Sequence, residues 1–200
     1  MSKLKLFDKW DIESVSVNDP GLKNYISLKP MIIPRTFGRY AKKQFHKSQM
    51  NIIERLANHL YVPGHRGKKH LITSGRNVGK TFKIWNVLKE TFGILEKETK
   101  KNPVEVFVKA LENAALREEI TSFQVGGIIV RKAVITAPQR RVDLALRLIA
   151  QGAYQKSFNK PKRMADTLAD EIFAAYNYDP QNSYAIKEKE RIEREAAGAR

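Results

Sequence analysis

The spacing of apolar residues changes period several times along this chain, and each change marks an element. The clearest series runs from Asn102 to Gln155. Val104, Phe107, Val108, Leu111, Ala114 and Ala115 recur at helical spacing, which predicts a helix with one buried face. Asn102 stands as its N-cap, Pro103 at its first position, and Glu105 where a capping box would reach back. Residues 120–125 and 128–135 then alternate like strands around Gly126-Gly127. A tight hairpin turn needs positive φ at its centre, so this stretch predicts a two-stranded β-ribbon at about residues 119–136. Thr136, Pro138 and Gln139 open a second helix. Val142, Ala145, Leu146, Ile149 and Ala153 face one side of it; Arg140, Asp143, Arg147 and Gln151 face the other. A ribbon held between two packed helices can reach away from the body. That shape suits entering or crossing a nucleic-acid groove rather than closing an active site.

Helical periods continue on both sides. Ser48 is placed to cap a helix in which Ile52, Ile53, Leu56 and Leu60 share a face. A second, from about Lys80 to Glu96, buries Ile84, Val87, Leu88, Thr91 and Leu95. Met164, Ala165, Leu168, Ala169, Ile172 and Ala175 make another, ending by Asn177 before the break at Asp179-Pro180. Ser183 caps a last helix, at about 183–197, that is charged nearly all round. Only Tyr184, Ile186 and Ile192 could pack there, so it needs a partner surface or is partly frayed. Residues 1–41, punctuated by Pro20-Gly21, Pro30 and Pro34, show no sustained period. Extended segments lying on a partner or on the body are expected there, docked by short apolar pieces such as Met31-Ile32-Ile33. The predicted fold is mainly α: about six bundled helices (42–200), a protruding β-ribbon and an N-terminal extension (1–41).

Charge then narrows the function. The 37 Lys and Arg outnumber the 21 Asp and Glu, for a net charge of +16. Such an excess repels itself unless a polyanion neutralises it. Nucleic acid is the first candidate partner and an anionic membrane surface the second; a merely basic protein is the plain alternative. Hydrophobic content of 42% argues for a packed core rather than a disordered tail. Without cysteine, neither disulfides nor thiolate metal sites can form. His46, His59, His65 and His70 lack metal-ligand spacing and read as surface or RNA-facing groups. No uncharged run is long enough to span a bilayer, and the first ten residues lack a signal-peptide core.

Gly75-Arg76-Asn77-Val78-Gly79-Lys80-Thr81 invites a nucleotide-binding P-loop. The loop is one residue short, Ser74 stands where the first glycine belongs, and basic residues with only Leu71-Ile72 apolar precede it. Exposed backbone N–H groups and cations still suit an RNA phosphate. Candidate RNA contacts are therefore Arg66, Lys68, Lys69, Arg76, Asn77, Lys80 and Lys83 in and after the loop. Further candidates are Arg131 and Lys132 on the ribbon, Arg140, Arg141 and Arg147 on the next helix, and Lys156, Lys160, Lys162 and Arg163 in a basic linker. Arg140 and Arg147 are seven positions apart and nearly in line, and Asp143 could pair with either. Val125, Ile128 and Ile129 are apolar near the ribbon tip, so the ribbon is covered in an assembly or packs on the body. Glu118-Glu119 and Asp170-Glu171 occupy ordinary positions, and no nucleophile elbow occurs. No catalytic, metal or cofactor site is expected.

Assembled in order, these features resemble the S-seven family of small-subunit ribosomal proteins. The resemblance rests on Glu54-Arg55-Leu56, Gly75-Arg76-Asn77, Gly79-Lys80, Asn102-Pro103 with residues 104–113, and Val125-Gly126-Gly127. It continues through Pro138, Arg140-Arg141, Arg147, residues 165–171 and Ser183-Tyr184-Ala185-Ile186-Lys187. It covers about Ser48 to Arg200, and the long N-terminus, the loop after Pro63 and the tail resemble archaeal and eukaryotic members. Thr81 stands where bacterial members commonly carry a second lysine. The resemblance implies a non-enzymatic, cytoplasmic constituent of the ribosome that binds the 3′ major domain of 16S-type RNA and nucleates assembly of the subunit head. It also implies neighbouring ribosomal proteins as partners, and a place near the exit-site tRNA and mRNA exit path for Gln124, Gly126, Gly127, Lys187 and Arg191. Two other readings are an architectural DNA-binding protein with a β-ribbon arm and a P-loop-like NTPase.

Overall fold

The helical periods become six helices in the computed structural model, which describes residues 4–64 and 75–200. They are α1 (Ile52–Leu60), α2 (Thr81–Thr99), α3 (Pro103–Ala114), α4 (Pro138–Ser157), α5 (Met164–Tyr176) and α6 (Tyr184–Ala197). Helix α5 lies at the centre, against α2, α3 and α4. Its Leu168, Ala169, Ile172 and Ala175 are wholly buried among core residues that include Phe92, Phe107, Val142, Leu146 and Ile149. The small residues let neighbouring helices approach closely. At Gly152 of α4 the approach is tightest: a Cβ there would lie 2.8 Å from Glu171 Cδ and Tyr184 Cβ. The packing of α6 against α4 also buries Gln151, which the helical pattern placed on the polar face.

The helix starts are fixed by tertiary contacts as much as by local chemistry. Asn51, not Ser48, caps α1: its side chain accepts from Ile53 N at 2.9 Å and donates to Lys29 O at 2.8 Å. Ser48 lies one short turn earlier (His46–Gln49), its hydroxyl bonded to Phe45 O and Gln139. Asn102 caps α3, accepting from Val104 N at 3.1 Å and donating to Asp11 O at 2.6 Å. Its amide is thus committed to the N-terminal segment, and Glu105 points to solvent rather than closing a capping box. Helix α4 has Pro138 in its first turn and Ala137 as an N-cap without a side-chain bond. Ser183 caps α6 as expected, accepting from Ile186 N at 3.3 Å.

The N-terminal segment supplies core, and not through the expected piece. A small hairpin of β1 (Lys5–Leu6) and β2 (Trp10–Asp11) turns through Phe7 and Asp8, both at positive φ. Leu6, Trp10, Ile12, Leu22 and Ile26 are buried, whereas Ile32 and Ile33 remain 42% and 48% exposed. Trp10 sits edge-on to Phe92 at 5.7 Å and donates from Nε1 to Glu96 at 3.0 Å. Short turns deliver these side chains one by one, so they obey neither helical nor strand period.

The ribbon pairs β3 (Glu118–Val125) with β4 (Ile128–Ile135), antiparallel, from Glu118↔Ile135 at the base to Val125↔Ile128 at the tip. Gly126 and Gly127 stand at φ 55 and 87, the two positive values a twisted two-residue turn requires. Its base rests on α6, so the charged helix finds its partner surface within the chain. Ala185, Ile186, Lys189 and Ala196 of α6 are buried, and Ile192 only half-buried. The tip is uncovered, with Ile128 71% and Ile129 70% exposed. The architecture is mainly α with a two-stranded arm. No described helix is long and apolar enough to cross a membrane.

Candidate nucleic-acid interface

Several candidate cations hold the protein itself. Arg141 donates from Nε to Leu116 O at 2.8 Å and from Nη2 to Asp19 at 2.9 Å, joining α4 to the N-terminal segment. Lys156 lies 2.6 Å from Glu171, a wholly buried carboxylate, and donates to Asn182 O at 2.6 Å. The same Glu171 accepts from Ser183 Oγ at 2.9 Å and Ala185 N at 3.0 Å. These two residues, expected at the RNA surface, are engaged inside the fold. Lys189, on the helix that the sequence shows as charged nearly all round, is buried too. Its ammonium donates to Asn113 O at 2.7 Å and stands 5.2 Å from the Tyr178 ring centroid. Burial lowers its pKa, against the pull of Glu193.

On the outer face of α4, Asp143 pairs with neither Arg140 nor Arg147. It binds Arg55, at 2.8 Å, and Lys47. Burial pushes the Asp143 carboxyl up, but hydrogen bonds from Lys47 and Arg55 outweigh it and hold it below the usual range. Arg140 instead grips Glu119 at the ribbon base through Nε at 2.6 Å and Nη2 at 2.7 Å. Arg147 is exposed, with no ion pair among the described residues. Near it, His59 is pushed down to about 4, by burial first, then by Arg147, Arg55 and Lys47, with Asp143 opposing. It is a neutral group at pH 7.

The remaining candidates are at the surface. Arg76, Lys80 and Lys83 are exposed around the first turn of α2 and meet no carboxylate among the described residues. Between Arg76 and Lys80 the chain is held by Asn77, whose amide reaches Leu60 O at 3.5 Å, and turns at Gly79 with φ 73. Both described sheets are two-stranded and antiparallel, so the P-loop's parallel strand has no counterpart among the described residues. Arg131 and Lys132 are exposed on opposite ribbon faces, below Gln124, Gly126 and Gly127 at the tip. Lys160 and Lys187 are exposed. Lys162 stands 3.8 Å from Asp170, Arg163 pairs with Asp166 and Glu90, and Arg191 with Glu188 and Glu195. Such surface pairs are weak and can exchange for phosphate. Arg66, Lys68 and Lys69 lie outside the described residues, as do His65 and His70. Arg35, beside the α2 cations, escaped the sequence reading; its signal is a basic residue set against Phe37.

Among the described residues, the candidate cations without a carboxylate partner thus lie at the α2 start, on the ribbon, at Arg147 of α4, and at Lys160 and Lys187. The family model for ribosomal protein S7p/S5e matches residues 22–200. Similar chains include the small ribosomal subunit protein uS7 of Nanoarchaeum equitans, 52% identical over 198 residues, 99% of this chain and 100% of that one. The uS7 proteins of Methanothrix thermoacetophila and Methanococcus maripaludis are each 45% identical, over 98% and 99% of this chain and the whole of theirs. The N-terminal segment that completes the core is therefore part of what is shared, and the chain belongs to the ribosomal protein S7p/S5e family.

Proposed function

We propose that this protein is a structural constituent of the small ribosomal subunit that binds the 3′ major domain of its RNA and nucleates assembly of the subunit head. The observation that carries this is the split among its cations. Arg76, Lys80, Lys83, Arg131, Lys132 and Arg147 are exposed without carboxylate partners among the described residues, beside an arm that leaves the body. Such cations neutralise phosphates and release counterions. The relatives' name, small ribosomal subunit protein, supports RNA and neighbouring ribosomal proteins as the partners. In this reading the ribbon tip, with Gln124, Gly126 and Gly127, and α6, with Lys187 and Arg191, lie near the exit-site tRNA and the mRNA exit path. The protein acts there by binding and shaping RNA in the cytoplasm, without a catalytic step or cofactor.

The test is titration of the full chain with a 3′ major domain transcript across salt concentrations. Affinity should fall by about 0.7–0.9 log units per log unit of salt for each phosphate neutralised. A flat dependence, or equal affinity for duplex DNA, would overturn the reading.

A further inference from the structure

The two most exposed phenylalanines among the described residues are Phe37, at 81%, and Phe82, at 76%. Remote in sequence, they belong to one cluster. The Arg35 guanidinium lies 4.4 Å from the Phe37 ring centroid and 5.8 Å from that of Trp85. Trp85 in turn meets Phe82 edge-on at 5.2 Å. Beside them opens a hollow of about 400 Å³, lined by Arg35, Lys80, Lys83 and Phe82 together with Gly79 and Thr81, and by no carboxylate.

Phe37 is held outward. Its φ is 51, a region bulky residues rarely adopt, and Gly38 follows at φ 74. The turn is pinned from below, where Thr36 donates from N and Oγ1 to the buried Glu54 at 2.8 and 2.9 Å. Hydrophobic burial favours turning such a ring inward; here the anchored backbone keeps it in water.

We propose that Phe37 and Phe82 form a stacking platform for unpaired bases of the bound RNA, with Arg35, Lys80 and Lys83 holding the adjoining phosphates. This deepens the ribosomal-RNA reading above and rests on it. Flat apolar faces interleaved with cations match the two surfaces of single-stranded nucleic acid, its bases and its backbone. A duplex fits poorly, because its base faces are stacked away inside. A protein partner would have to bring carboxylates to meet three cations that the site itself leaves unopposed.

The experiment uses the full chain and a short oligoadenylate carrying a fluorescent purine analogue, with an abasic oligomer of equal phosphate count as control. Binding should change the analogue's fluorescence, and the abasic oligomer should bind more weakly. Phe37→Leu/Phe82→Leu should lower affinity for the oligoadenylate roughly ten-fold or more. Phe37→Trp/Phe82→Tyr should retain it, since the aromatic face is what matters. Equal binding by the leucine pair and the wild type, or by the abasic and intact oligomers, overturns the platform. Parallel titrations with the 3′ major domain transcript separate the two readings. Salt-dependent binding unaffected by the leucine pair removes the platform alone, whereas absence of RNA binding by the wild type removes both.

Discussion

Around α4, positive charge is built into the fold: Arg55 and Lys47 hold Asp143, Arg141 holds Asp19, and Lys156 meets Glu171. Around the first turn of α2, Arg76, Lys80 and Lys83 meet no carboxylate among the described residues. Both regions raise the same net charge, yet they do opposite things with it. A cation beside a buried carboxylate cancels a desolvated charge, and its loss leaves that charge unopposed. A cation in water is already solvated, so its loss leaves the fold nearly unchanged. Basic residues can therefore be sorted into fold and surface by the carboxylates beneath them, where composition counts them all alike.

The sharpest break of this contrast is Lys156→Ala. It strands the buried Glu171 carboxylate, and stability should fall toward the lower end of the roughly 3–5 kcal/mol seen for broken buried pairs, because Lys156 is itself partly in water. Urea denaturation measures the change. Glu171→Gln added to the same chain should recover part of the loss. A cost near that of a surface substitution would show that Glu171 does not depend on Lys156.

Next comes the acid limb of stability. The His59 pKa is about 4 in the folded protein, against 6.5 ordinarily. Between these values the unfolded chain binds the extra proton, so stability is full above about pH 6.5 and falls as pH drops toward 4. The expected loss is up to about 3 kcal/mol. Asp143, held below its ordinary value, adds a further loss at still lower pH as its carboxyl protonates. Thermal melts from pH 7 to 4 should show the slope, and His59→Gln should flatten its upper part. An unchanged slope would place His59 in water.

How far this was legible in the sequence follows the range of the interactions. The Gly126-Gly127 turn and the faces of α3, α4 and α5 are local, and the periods give them. Ser48 and Asn51 both carry a capping oxygen, and what selects Asn51 is a carbonyl from Lys29, far off in sequence. The core residues between Leu6 and Ile26 arrive on turns and leave no period. The pairs Asp19–Arg141, Arg55–Asp143 and Lys156–Glu171 join different elements, so no spacing rule shows which basic residues are internal. The cations around Gly79 were legible because their exposure follows from a local run of glycine and charge. The aromatic partners Phe37 and Phe82 were not, since the chain brings them together only through the fold.

A smaller stability effect is expected where α4 meets the ribbon. Arg140 grips Glu119, but its guanidinium is half in water, and such surface pairs contribute at most about 1 kcal/mol. Arg140→Ala/Arg147→Ala should therefore melt within about that margin of the wild type, while binding the 3′ major domain transcript more weakly. Unchanged RNA affinity would mean that this face looks at solvent or protein, and would leave the α2 region as the principal contact.

The smallest change in stability, and the cleanest in binding, belongs to Lys80→Ala/Lys83→Ala. Neither side chain has an ion pair among the described residues, and Lys80 gives α2 no side-chain cap. Melting and urea midpoints should stay within about 0.5 kcal/mol of the wild type. If each lysine neutralises one phosphate, the log–log salt slope should become shallower by about 0.7–0.9 for each residue removed. That slope is independent of sequence preference, so it reports charge neutralisation alone and can be set beside the same measurement on Lys156→Ala in conditions where that variant is folded. The comparison predicts a changed slope with unchanged stability for the α2 pair, and changed stability with an unchanged slope for Lys156. If the α2 pair leaves the slope untouched, its lysines do not neutralise phosphate, and the distinction between the two regions would describe solvent exposure without describing function.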